Sequence, residues 1–208
     1  MSFKKLQKEE VFNTISHALG IAFGVVGLVL LLLKNKAETP FSTLSIWIYG
    51  LSFVALFSAS TIYHALLSEH KKKKARKFDH ISIFLLIAGT YSPICLITLE
   101  RTSGWLLFTV IWSIAFAGFI LKLFFTGKLE KLSLLLYLAM GWLAVLDYKQ
   151  LFNLLSENTL FYLFLGGALY TIGVFFYASK RIPYNHFIWH LFVLGGSIAH
   201  FMMIYNIV

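Results

Sequence analysis

Apolar residues run along this chain in stretches of about twenty, each closed by a short cluster of charged or turn-forming residues. The pattern predicts helices near 11–33, 41–66, 79–99, 104–125, 130–148, 157–179 and 185–207. A bilayer core of about 30 Å takes roughly twenty residues at the helical rise, so each stretch is long enough to cross it. The connections are short. Pro40 stands where the second helix can begin, Pro183 separates the last two, and Pro93 falls inside the third, where it should kink or locally break the helix. No internal repeat is visible. The expectation is an all-α polytopic membrane protein: a seven-transmembrane-helix bundle forming one domain over residues 1–208.

Composition strengthens this reading. Of the 208 residues, 59% are hydrophobic and 13% charged, and the mean hydropathy is +0.78. A soluble fold of this length could not hide that much apolar surface. The N-terminal residues Met1 to Glu10 are polar and run into the first apolar stretch without a small-residue cleavage site, so a retained first helix is expected. The lone cysteine, Cys95, lies in an apolar run, excludes an intrachain disulfide and reads as a small buried hydrophobe.

A net charge of +9 would suggest nucleic acid in a soluble protein. Here the basic residues punctuate apolar segments, and no nucleic-acid partner is expected. With seven helices, alternate connections fall on opposite sides. One side collects Lys4, Lys5, Lys8, Lys71 to Lys74, Arg76, Lys77, Lys122, Lys128, Lys131, Lys180 and Arg181; the other has Lys34, Lys36, Arg101 and Lys149. The excess places the N-terminus in the cytoplasm and the C-terminus outside a cell membrane, with the run at Lys71 to Lys77 as a topology determinant.

That topology sorts the seven histidines. His64 falls near the cytoplasmic end of the second helix, His186 and His190 begin the seventh on the same side, and His17 and His80 are expected in the first turns of the first and third. His70 belongs to the basic loop, and His200 lies towards the other face. His186 and His190 are four apart, so both imidazoles can reach one metal ion from one helix face. Ser60 and His64 repeat the step, and Asp79 opens the third helix at the same level. Three histidines with an open fourth position form the ligand set of a catalytic zinc site. Asp79 and Ser60 would then partner a water at that site, or Asp79 would ligate directly. His17 and His200 either hydrogen-bond a neighbouring helix or take a functional role. His70 and His80 read as interfacial or capping residues, and the five tryptophans as belt and packing material.

Glu10-Val-Phe-Asn13-Thr-Ile-Ser16-His17-Ala-Leu-Gly20, Ser60-Thr-Ile-Tyr-His64, Phe78-Asp79-His80 and His186-Phe-Ile-Trp-His190, with His200 following, resemble the haemolysin III family. That family is related to the progestin and adipoQ receptors and more distantly to alkaline ceramidases. The resemblance covers essentially the whole chain. It implies a seven-helix bundle with a cytoplasmic N-terminus and Zn2+ near the cytoplasmic side, held by His64, His186 and His190, with Asp79 and Ser60 beside it.

The expected function is a zinc-dependent hydrolase acting on a lipid-like amide or ester within the bundle, with membrane lipid as the partner and Asp79 and Ser60 as the catalytic residues. Two alternatives come from other classes: a haemolytic, pore-forming protein, as the family name implies, and a membrane receptor or homeostasis sensor in which zinc is structural. No helix shows the continuous polar stripe of a pore.

Overall fold

The computed structural model describes residues 3–179 and 181–208, and of residues 3–7 the backbone alone; Lys180 and the side chains of Lys4 and Lys5 lie outside the described residues. Its helices are α1 (Phe3–Lys34), α2 (Ser42–Ala65), α3 (Glu69–Pro93), α4 (Gly104–Phe125), α5 (Glu130–Gly141), α6 (Tyr148–Leu154), α7 (Glu157–Ala178) and α8 (Asn185–Ile207). A turn of π-helix, Ile94–Thr98, extends α3, and a 3-10 turn, Leu143–Asp147, joins α5 to α6. Together they form seven spans long and apolar enough to cross a membrane, and among the described residues there is no strand. An odd number of crossings puts the ends of the chain on opposite sides. Accordingly, the Lys34 ammonium at the end of α1 donates to the Tyr205 carbonyl near the end of α8.

Apolar side chains cover the outside of the bundle as well as filling its core. Large apolar residues face outward, as with Leu33 at 80% exposure, Leu146 at 84% and Phe116 at 67%, while Ser45, Ser92, Ser60 and Lys122 are buried. With lipid outside, apolar burial no longer drives helix association, so close packing and internal polar contacts must. The packing supplies them. A Cβ on Gly89 of α3 would come within 2.0 Å of the Ser52 hydroxyl of α2, so the two helices approach at a distance only glycine permits. One on Gly166 of α7 would meet the His200 ring of α8 at 2.2 Å. Phe53, Phe57, Phe84 and Ile111 fill the centre.

Three expectations need correction. The segment 69–78, expected as a loop, forms the first turns of α3, so His70 is helical and Asp79 and His80 sit well inside α3 rather than opening it. Charged residues dominate that segment, which masks its helical continuation from a search for apolar stretches. For the same reason α1 begins at Phe3 and His17 lies about four turns in, not in the first. The fifth span is broken at Gly141 and Trp142, where the Tyr91 hydroxyl from α3 donates to the Met140 carbonyl (2.8 Å) and accepts from the Ala144 amide (2.9 Å). Tyr91 thereby satisfies the backbone groups released by the break, as hydrocarbon requires. Pro93 acts as expected: helical bonding shifts to the π pattern immediately after it. Cys95 is fully buried.

Candidate metal centre

Three helices meet at the end of the bundle that holds the start of α1. α2 brings Ser60 and His64, α3 brings Asp79, and α8 brings His186 and His190. One ligand atom from each of His64, His186 and His190 lies within 4.8 Å of the others, and the His64 and His190 side chains are buried. The Nε2 atoms of His64 and His186 are 3.4 Å apart. The imidazole centroids are separated by 5.1 Å (64 to 186), 4.8 Å (64 to 190) and 4.7 Å (186 to 190). The four-residue step on α8 puts the last pair on one helix face with their rings tilted, and a group able to hold one metal ion results. The Nδ1 of His190 is buried without a hydrogen-bond partner.

A cavity of ≈ 130 Å³ begins at this group and runs into the bundle. His186 and His190 stand on its wall with Ser60 and Asp79, and the Ser60 hydroxyl lies alongside the Asp79 carboxyl. Farther in, the lining turns apolar, with Leu56, Ile83, Ile87, Val174 and Val193, and the chamber ends near Trp142 and His200. Thus Ser60, Asp79, His186 and His190 share one cavity with His64 beside them, while Asp79 lies on the wall rather than within the group of close donors. His200 faces the deep end of the chamber, with Nε2 3.3 Å from the Leu163 carbonyl of α7.

Several contacts were not read from the sequence. Glu10 Oε2 lies 2.5 Å from His64 Nδ1, and its other oxygen accepts from the Lys72 ammonium at 2.6 Å. Lys72 thus leaves the basic run to reach the site. Glu9 accepts from the backbone N–H of His186 at 3.2 Å. Asn13 Nδ2 is 3.4 Å from His64 Nδ1. His17 stacks on His190 with centroids 3.7 Å apart, and both its ring nitrogens are buried and unpartnered. The signal for these residues was their spacing: Glu10, Asn13 and His17 fall three and four apart and so share a face of α1.

His80, expected as an interfacial or capping residue, also lines the cavity. Its Nδ1 is 3.3 Å from the Glu130 carboxylate, which accepts from the wholly buried Lys122 at 2.7 Å and from the Gly127 amide at 2.7 Å. Lys122, counted among the topology determinants, is therefore also the buried half of an ion pair whose other half, Glu130, is partly exposed.

A family model described as haemolysin-III related matches residues 6–201. Among curated proteins, the chain is 39% identical to Hemolysin-3 of Bacillus cereus, the match covering 95% of this chain and 90% of that protein. It is likewise 39% identical to the Hemolysin-3 homolog of Bacillus subtilis (strain 168), over 95% and 93%. The human monocyte to macrophage differentiation factor is 30% identical over 98% of this chain and 86% of its own. No solved structure matches the chain.

Proposed function

We propose, from the premise that this chain belongs to the haemolysin III family of multi-pass membrane proteins related to the progestin and adipoQ receptors, that it is a zinc-dependent hydrolase of a lipid-like amide or ester. The observation that carries the reading is the group His64, His186 and His190 beside a cavity whose wall also bears a carboxylate. Imidazole nitrogens suit zinc, and two of them on a tetrahedral ion at its usual bond length stand about 3.3 Å apart. The 3.4 Å between His64 and His186 and the unpartnered Nδ1 of His190 fit that spacing and that need for a partner. His64, His186 and His190 would hold the ion, and zinc there would supply Lewis acidity to an acyl carbonyl.

The remaining chemistry belongs to the chain. Asp79, on the cavity wall, takes a proton from the attacking water at its carboxylate and returns it to the leaving nitrogen or oxygen as the acyl bond breaks. Ser60, alongside, holds the carboxyl in place. The apolar lining from Leu56 to Val193 suits an acyl chain and excludes bulk water. The basic excess on the side of the site orients it towards the cytoplasm.

One further reading has an observation in its favour. His64 comes from α2 and His186 and His190 from α8, so an ion there ties those two helices together, as a sensor with structural zinc would need. The test is release of free fatty acid from a panel of ceramides and acyl esters by the zinc-loaded protein in detergent. Turnover abolished by Asp79→Asn supports the hydrolase. Stoichiometric zinc with no turnover on any lipid leaves the structural reading.

A further inference from the structure

The first helix gives no donor to the three-imidazole group, yet two adjacent carboxylates on it touch the group's supports. We infer that α1 positions the metal centre, Glu10 by orienting the His64 ring and Glu9 by fixing the start of the helix that carries His186. The inference rests on the metal reading given above.

Neighbouring residues on a helix point about 100° apart. From one turn of α1, Glu10 therefore reaches α2 while Glu9 reaches α8. The short contact of Glu10 with His64 Nδ1, 2.5 Å, places the ring proton on Nδ1 as donor to the carboxylate. The lone pair is left on Nε2, the atom that faces His186 Nε2 at 3.4 Å. A carboxylate behind a ligating imidazole in this way fixes the tautomer, holds the ring and strengthens it as a ligand. Glu10 is itself held, since its second oxygen is taken by Lys72 at 2.6 Å. Lys72 also lies 5.2 Å from the centroid of the Tyr63 ring, next to His64. The carboxylate cannot turn away from His64 without breaking that ion pair.

Glu9 works on the backbone. Its buried carboxylate accepts from the amide of His186 in the first turn of α8, where helical N–H groups have no partner within the helix. The contact fixes the height of His186 and, one turn on, His190. Glu9 and Glu10 are thus positioning residues.

The test uses the full-length protein in detergent, with zinc affinity measured by competition with a chromophoric chelator. Glu10→Gln is expected to weaken zinc about 10- to 100-fold and to shift the visible bands of the cobalt(II)-substituted protein. Glu9→Ala is expected to weaken zinc about fivefold, the loss that removing a helix cap of ordinary strength corresponds to. Wild-type affinity and cobalt spectrum in Glu10→Gln overturn the inference. If that variant does not fold, Glu10→Asp, which keeps the charge and shortens the reach, is read against the same two outcomes. A wild type that takes up no zinc sinks the metal reading and this inference with it; a zinc-binding wild type with unchanged variants sinks this inference alone.

Discussion

The Nε2 atoms of His64 and His186 face each other at 3.4 Å across 122 positions of sequence. A third imidazole stands 4.7–4.8 Å away by its centroid, so three rings from two helices converge on one point of the bundle. That arrangement can hold a metal ion.

Asp79 separates chemistry from architecture. Asp79→Asn is expected to leave zinc content unchanged and to lower lipid turnover about 10²- to 10⁴-fold, the usual contribution of a positioned acid or base. Parallel zinc analysis and fatty-acid release check it. Full turnover in the variant would remove Asp79 from the mechanism.

Lys122 is wholly buried and pairs with Glu130. Glu130→Gln strands that charge, and the cost expected is about 3–5 kcal/mol of stability. Lys122→Met together with Glu130→Gln, which removes both charges, should recover most of the loss. Unfolding in mixed detergent micelles measures both.

The contact of α2 with α3 at Gly89 admits no side chain. Gly89→Ala should destabilise the bundle by about 1–3 kcal/mol through overpacking, and Ser52→Gly should partly restore it by removing the hydroxymethyl group that the new Cβ meets. Equal stability of Gly89→Ala and wild type would show that the helices are free to move apart.

Orientation is accessible because Cys95 is the lone cysteine and is buried. Lys36 and Lys73 are both exposed, on opposite sides. In intact cells, a membrane-impermeant maleimide should label Lys36→Cys and should reach Lys73→Cys only after permeabilisation. The reverse pattern would place the metal group outside the cell.

The spans were legible because hydrocarbon thickness sets a length that composition alone reveals, and Pro93 announced its own irregularity. The starts of α1 and α3 were not, since a helix that continues past the membrane surface is built from the same lysines and glutamates that mark a loop. The three histidines were legible through spacing and topology together. Their supports were not: which way Glu9 and Glu10 point depends on the packing of α1 between α2 and α8, a long-range relationship no local pattern contains. The broken fifth span was equally hidden, because Tyr91, which stabilises it, lies 49 residues away from Met140 in sequence.

The proposal that His64, His186 and His190 hold one zinc ion can be measured on the purified protein. Elemental analysis of the protein purified without added chelator tests it most directly, on the wild type and on His64→Ala and His186→Ala. The expected result is about one zinc per chain in the wild type and its loss in both variants. A wild type without zinc, or variants that retain it in full, would show that these three histidines do not hold the ion.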